Sequence, residues 1–414
     1  MDNVTDGQSA KEKSDNKKSI WARTFGSMNP GQLGSLPVLI GLVLIAIVFQ
    51  IANSNFLTPL NLTNLMVQIS AIGTMSVGVV LILLLGEIDL SIGAVSGFSA
   101  AVMAVLSVKV GLPGFLAVLL GIATGSVIGL FQGAWITKLK VPSFVVTLAG
   151  SLGWLGALLW VLGSTGTINL NDPFIVGLVN TRLPVWLGWV IGIAVVLLFV
   201  ATSILQRSRR SRRGLPTESG ASLAARTILI SAVVLIALAI MSVNRNPRPS
   251  IPIEGVPTGV IILLGLIILF NFITVRTQFG RSMFAVGGNA EAARRAGINV
   301  DRIRITVFVL GSTLAATGGI LAGSRLFAVN QSSGSGDVLL NSIAAAVIGG
   351  TSLFGGRGST WAALLGALVI GSIANGMDLL AFASSVRFIV TGAVLLLAVT
   401  LDSITRSRRE QAGS

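Results

Sequence analysis

Long apolar runs recur along this chain and constrain its fold more than any other feature. Several reach about 18 residues, the length that an α-helix needs to cross a hydrocarbon layer of about 30 Å. Of the 414 residues, 53% are hydrophobic and only 11% are charged. The runs do not alternate apolar and polar residues, as the strands of a membrane β-barrel do. The sequence therefore predicts an all-α, polytopic helical membrane protein.

Twelve segments are apolar and long enough to be predicted as membrane spans. The third, tenth and eleventh are rich in Gly, Ala and Ser, so these three are candidates for broken or re-entrant helices. We therefore expect 10 to 12 full spans, and twelve is the favoured number. The segments are 37–52, 65–85, 92–108, 115–136, 144–162, 185–204, 227–243, 259–275, 305–327, 339–354, 361–377 and 386–401.

The distribution of lysine and arginine predicts the orientation of these spans. If the N-terminus is cytoplasmic, 23 of the 29 basic residues face the cytoplasm, as the positive-inside rule requires. Both termini are then cytoplasmic. We expect residues 1–35 to be a disordered cytoplasmic tail, 36–402 the transmembrane domain and 403–414 a cytoplasmic C-terminal tail. Residues 205–226 form a basic cytoplasmic loop.

Composition excludes several classes of function. The chain contains no Cys, His or Tyr, so disulfides, zinc sites, catalytic thiolates and imidazole bases are absent from it. We predict no catalytic residue and no metal site. The net charge of +14 lies in short loops beside apolar spans, which indicates orientation and contact with anionic lipid, not nucleic-acid binding.

A short charged segment, "GGNAEAARRAGINVDR", interrupts the apolar pattern between the eighth and ninth spans. Asn289 is a candidate N-cap, Glu291 falls in the first turn, and Arg294 and Arg295 fall in the last turn. Gly297 is placed to end the helix in the left-handed conformation. The small helix body consists of Ala292, Ala293 and Ala296. So short a helix needs support from the rest of the protein or from a partner, and the alternative is a local turn that only carries positive charge.

The residues "EAARRAG" in this segment resemble the cytoplasmic EAA loop of ABC-importer permeases. Three more stretches, in the same order as in that family, resemble its ribose/xylose branch: "GEIDLSIGAVSG", "GAWITKLKVPSFVVTLAG" and "GGTSLFGGRGS". The Ile-x-Leu-Pro that completes the fullest EAA motif is missing, which is consistent with the shorter loop of this branch. An extra pair of spans around the basic middle loop is similar to xylose-type permeases.

This resemblance implies a function and a set of partners. Residues 36–402 are expected to form a permease domain, and 276–304 a coupling loop that docks on a separate ATP-hydrolysing subunit. A second permease copy and an extracytoplasmic sugar-binding protein complete the expected importer in a bacterial inner membrane. The chain itself is expected to bind no cofactor, because "GGTSLFGGRGS" lacks the Gly-Lys-Ser/Thr of a phosphate loop. The alternative is a twelve-helix, proton-driven sugar transporter.

Polar residues within or beside the spans are candidates for the transport pathway. Glu87 and Asp89 lie between two apolar runs, where charge is costly and often functional. Asp89 has a second interpretation, as a cap of the helix that starts near Ser91. Asn341 and Asn375, with Arg325 and Asp378 nearby, either face a polar channel or bond between helices.

Overall fold

The computed structural model describes residues 36–217, 219–246 and 252–412. Within these ranges nine helices are long and apolar enough to cross a membrane, and three shorter apolar helices accompany them. Each of the twelve predicted spans overlaps one of these helices, so the predicted fold class is confirmed. The predicted tail 1–35 lies outside the described residues.

Short helices, a π-helical turn and four very short strands accompany the spans. The helices are α1 Leu36–Ala52, α2 Pro59–Leu84, α3 Ile92–Ala104 with a π-helical turn Val105–Lys109, α4 Gly114–Lys138, α5 Ser143–Leu162, α6 Pro173–Asn180, α7 Val185–Arg212, α8 Gly220–Ser242, α9 Thr258–Arg276, α10 Gln278–Gly288, α11 Ala290–Arg295, α12 Val300–Leu326, α13 Gly336–Ile348, α14 Thr360–Leu379 and α15 Ser384–Ala412. The strands are β1 Thr167–Asn169, β2 Arg182–Leu183, β3 Val256–Pro257 and β4 Ala328–Asn330.

Helix α12 lies at the centre of the bundle and packs against α2, α3 and α4. The neighbouring helices approach it where one or both backbones carry glycine. A Cβ added to Gly129 of α4 would lie 2.4 Å from the carbonyl oxygen of Phe308, and one on Gly78 of α2 would lie 2.8 Å from that of Gly311. Both contacts require glycine, because a side chain would not fit at either position. Inside a membrane, such close van der Waals packing of backbones takes the place of the hydrophobic effect.

The third span is broken only at its start, before the predicted segment. Residues 92–108 are helical throughout, as α3 and the π-helical turn, but residues 85–91, which lead into α3 from α2, are not. Glu87 pairs with Arg304 near the N-terminus of α12, whereas Ser96 lies against Gly319 in the C-terminal half of the same helix. The fifteen residues between these two points of α12 rise about 22 Å, while nine helical residues would rise only about 13 Å. Residues 85–91 are accordingly non-helical. Surrounding protein satisfies their backbone: Leu90 N donates to Thr147 Oγ1 at 3.1 Å.

The tenth span is also broken, but the eleventh is continuous. Helix α13 has 13 residues and extends only about 20 Å. The chain before it descends from β4 as an irregular segment, and Ser333 and Gly334 contact Gly97 and Gly93 near the start of α3. The N-termini of α3 and α13 therefore meet inside the bundle. Helix α14, the eleventh span, runs 20 residues without interruption.

Residues 167–183, at the end of the bundle opposite to α11, form an ordered connector. There β1 pairs with β4, and β2 pairs with β3, in two antiparallel ribbons. Between them α6 buries Ile175 and Val179. Asp172 accepts a hydrogen bond from Phe174 N at 2.9 Å, which caps α6, and another from Gly114 N at 3.1 Å. Aspartate before proline is a helix-start signal that was available in the sequence.

Two boundaries at the same end of the bundle as α11, here named the basic end, also differ from the prediction. The predicted loop 205–226 is mostly helical, because α7 continues to Arg212 and α8 begins at Gly220. Loss of hydropathy marks where a helix leaves the apolar layer, not where it ends. Likewise, the backbone of α15 continues through the predicted C-terminal tail to Ala412.

The contact between α13 and α14 offers a test of this packing. A Cβ on Gly366 of α14 would lie 1.7 Å from the carbonyl oxygen of Ala345, whereas one on Gly265 of α9 meets nothing within 4 Å. We expect Gly366→Ala to destabilise the protein by about 1–3 kcal/mol through overpacking. Gly265→Ala should be neutral or slightly stabilising. Thermal unfolding in detergent measures both, and equal midpoints for the two variants would contradict the packing described.

Candidate functional site

The predicted short helix exists as α11, with the predicted caps. Asn289 Oδ1 accepts a hydrogen bond from Ala292 N at 2.9 Å. At the other end, Gly297 has φ of +83° and its N–H donates to Arg294 O at 3.0 Å. Glycine favours this left-handed conformation because it has no Cβ. The segment is thus a capped helical turn and not a loose loop.

Helix α11 is held by the remainder of the chain on one side only. Ala293 is 4% exposed and belongs to the main hydrophobic core, together with partly buried Ala290 and Ile298. Ahead of it, Gly287 contacts the end of α2 so closely that a Cβ would lie 1.8 Å from Leu84 O. These contacts with the bundle stabilise α11, which is too short to be stable alone.

The other side of α11 is free and exposed in this chain. Glu291 Oε2 pairs with Arg294 at 3.2 Å and Oε1 with Arg295 at 3.3 Å, but all three side chains are more than half exposed. Exposed pairs of this kind contribute little to stability. Ala292 is also exposed, so the free side presents a small, flat surface flanked by charge.

Helix α10 precedes α11 and was missed by the sequence analysis. Thr277 Oγ1 accepts from Gly280 N at 3.2 Å and so caps its start. Met283 and Val286 are buried, while Arg281 is exposed, so the helix is amphipathic and lies against the bundle. The threonine cap and the helical spacing of these apolar residues were signals for it.

Three parts of the chain meet beneath α11, and we name this place the junction. It comprises residues 84–87, which open the broken third span, Gly287–Gly288 of α10, and the glycine-rich residues 349–358 after α13. Gly356 N donates to Leu84 O at 2.9 Å. A Cβ on Gly355 would lie 2.6 Å from Gly287 O and 2.8 Å from Gly86 N. Both broken spans therefore contact the α10–α11 segment through backbone atoms.

An ion pair reinforces the junction. Arg304, in the first turns of α12, lies 3.1 Å from Glu87, and both side chains are largely buried, at 28% and 15% exposure. This pair joins the helix that follows α11 to the broken third span. It also lines a cleft of about 600 Å³, whose charged residues are Glu87, Lys140, Arg294, Asp301 and Arg304. Glu87 thus lies at the basic end and not deep in the bundle.

Asp89 lies deeper, and its predicted capping role needs correction. The N-cap of α3 is Ser91, and no side chain caps that helix. Asp89 Oδ1 instead accepts from Ser91 N at 2.7 Å and from Ser91 Oγ at 2.6 Å, which fixes the turn before the helix. Within the described residues its Oδ2 is buried without a partner.

Gln132 of α4 is a buried polar residue that the sequence analysis overlooked. Its Nε2 donates to Ser91 Oγ at 3.0 Å, and the side chain is 1% exposed. Beside it, Trp154 Nε1 is buried without a partner within the described chain. A lone glutamine in an apolar span was the available signal. Asp89, Ser91 and Gln132 therefore form one polar cluster at the break in the third span.

The late polar residues do not join this cluster. Asn375 is buried and exchanges two hydrogen bonds with Asn61, at 2.7 and 3.0 Å, so it bonds between helices, the second of its two predicted roles. Asn341 lies half-buried on α13. Asp378 pairs with Arg387 at the end of the bundle opposite to α11, and Arg325 is half-buried near that end.

Comparison with known proteins identifies the family. A family model described as "Branched-chain amino acid transport system / permease component" matches residues 61–399. The chain belongs to this permease family. It is 37% identical over 353 residues to the xylose transport system permease protein XylH of Escherichia coli K12, covering 85% of this chain and 87% of that protein.

Two further relatives are consistent with this assignment. The chain is 32% identical over 363 residues to the ribose import permease protein RbsC of Escherichia coli K12, covering 87% of this chain and 91% of that protein. It is 29% identical over 372 residues to RbsC of Bacillus subtilis, covering 90% and 94%. No solved structure matches the chain at a significant level. The permease is thus a multi-pass transport subunit of the ribose/xylose type.

Two adjacent glycines test how the permease seats α11. A Cβ on Gly287 would collide with Leu84 O, whereas one on Gly288 meets nothing within 4 Å. We expect Gly287→Ala to displace the α10–α11 segment and to accelerate tryptic cleavage after Arg294 and Arg295. Gly288→Ala should cleave at the wild-type rate. If both variants are cleaved alike, α11 is not seated through Gly287.

Proposed function

We propose that the permease is the membrane-spanning subunit of an ATP-driven sugar importer in the bacterial inner membrane, and that its substrate is a pentose, xylose first. The name of the relative XylH and the 37% identity over most of both chains support this choice. The ribose permeases are less similar, at 32% and 29% identity. Ribose is therefore the second substrate to test.

The single observation that carries the proposal is the one-sided support of α11. Its buried face holds it to the bundle, and its exposed face, with Ala292 between Glu291 and Arg295, is left for a partner. We assign this face to the ATPase subunit, with ATP bound on that partner. Both termini and the basic end then face the cytoplasm.

The junction supplies a physical route from the partner to the pathway. A movement of α11 is transmitted to residues 84–87 and 349–358, because the glycine backbone contacts between these segments are too close to absorb it. The Glu87–Arg304 pair adds a charged link between α12 and the broken third span. Residues 84–87 lead into α3, and residues 349–358 follow α13. Because the N-termini of these two helices meet within the bundle, a movement of either segment shifts that meeting point. Glu87, Asp89, Ser91 and Asn341 are the candidate gate and pathway residues on these two spans.

Two more partners complete the proposed importer. A second permease copy provides the other half of a pathway between the two bundles. An extracytoplasmic sugar-binding protein docks at the end of the bundle opposite to α11, and the ordered platform of α6 and two strand pairs supports this. The ordered loops there offer a rigid surface, which lowers the entropic cost of association.

Reconstitution tests the proposal directly. Proteoliposomes that contain the permease, its ATPase subunit and the binding protein should import xylose only when ATP is supplied to the basic end. Ala292→Trp should reduce ATPase binding and uptake by at least about tenfold, since a bulky residue at the centre of a contact costs more than about 1.4 kcal/mol.

Ala221→Trp is the matched control, because Ala221 is exposed at the same end but on the peripheral helix α8. This variant should retain uptake. Xylose uptake driven by a proton gradient, without ATPase, would establish the secondary transporter instead. Equal uptake by both tryptophan variants would mean that α11 is not the docking site.

A further inference from the structure

Helices α7 and α8 form a hairpin at the edge of the bundle. In the apolar stretches of α7 and α8, only 17% and 6% of the residues, respectively, are buried inside the protein, compared with 83% for α2. The hairpin packs mainly on itself, with smaller contacts to α2. Its outer surface therefore faces the surrounding bilayer, and the molecules next to it are lipids.

Five arginines cluster on the final turns of α7 and the residue after it. Arg207, Arg209, Arg210, Arg212 and Arg213 are all exposed. We name these five residues the arginine patch. Residues 185–243 contain six arginines and one acidic residue, Glu218, so the net charge of the hairpin stays strongly positive. The patch is a concentrated positive charge attached rigidly to a membrane span.

The depth of the patch follows from helix geometry. The apolar part of α7, residues 185–205, extends about 30 Å, which equals the hydrocarbon thickness. Arg207, Arg209 and Arg210 then lie about 3 to 8 Å beyond it, within the headgroup layer. Arg212 and Arg213 lie about 10 to 12 Å beyond, and their flexible side chains reach back to the same layer.

We propose that the arginine patch is a binding site for anionic phospholipid headgroups, such as phosphatidylglycerol or cardiolipin. Guanidinium groups bind phosphate oxygens in a bidentate manner. The helix places Arg207, Arg209 and Arg210 in the headgroup layer, and Arg212 and Arg213 follow within reach of it, so the five charges are concentrated where the phosphates lie. A zwitterionic headgroup lacks the net charge to match the patch, which makes the site selective for anionic lipid. This inference does not depend on which solute the permease carries.

The test measures lipid selectivity of the full chain in phosphatidylethanolamine nanodiscs. Spin-labelled phosphatidylglycerol and spin-labelled phosphatidylethanolamine report the protein-bound lipid fraction. Wild type should enrich phosphatidylglycerol, and the enrichment should weaken at high salt. Replacing all five patch arginines by glutamine should lower it by roughly fivefold or more, since each arginine near an anionic surface contributes up to about that factor.

A matched control removes five charges from the same end of the bundle but away from the hairpin. Its substitutions to glutamine are at Lys138, Lys140, Arg276, Arg281 and Arg357, all exposed. The control should keep most of the wild-type selectivity, because its five charges are spread over separate elements and cannot bind one headgroup together. The proposal is overturned if the patch variant keeps its selectivity, or if the control loses as much. It is also overturned if the patch variant loses only ATPase binding, because the patch would then serve a protein partner.

Discussion

The close approach of backbones at glycine is the interaction on which the remainder of this structure depends. Gly129 and Gly78 let α4 and α2 approach α12, and Gly366 does the same between α14 and α13. Side chains at these positions would separate the helices and remove the van der Waals contact that holds a bundle together in lipid. The same type of contact seats α11, since Gly287 lies directly against the end of α2.

Two broken spans become possible because such contacts enclose them. Non-helical backbone inside a membrane survives only where protein supplies its hydrogen bonds. Residues 85–91 obtain them from Thr147 and Asp89, and both broken spans reach the junction beneath α11. A segment that is irregular, enclosed and attached to a docking helix is suited to move between two states.

The sequence predicted what depends on local pattern and missed what depends on tertiary contact. Apolar length located twelve apolar helices, of which nine are long enough to cross a membrane within the described residues, and Asn289 and Gly297 predicted the limits of α11. The cap at Asp172 was readable but was not used, so α6 was missed. Glycine content marked three spans as candidates for breaks, yet α14 is intact, since its glycines serve packing. The pairing of Glu87 with Arg304 joins residues more than two hundred positions apart, and no local pattern reveals it.

A charge-reversal cycle on Glu87 and Arg304 tests most directly whether the junction transmits force from α11 to the pathway. The quantity to measure is sugar imported per ATP hydrolysed in reconstituted importer. We predict that Glu87→Arg and Arg304→Glu each lower this ratio severalfold, because each places like charges in a largely buried contact. The double variant should recover most of the ratio. Single variants with the wild-type ratio, or a double variant no better than the worse single one, would contradict the account.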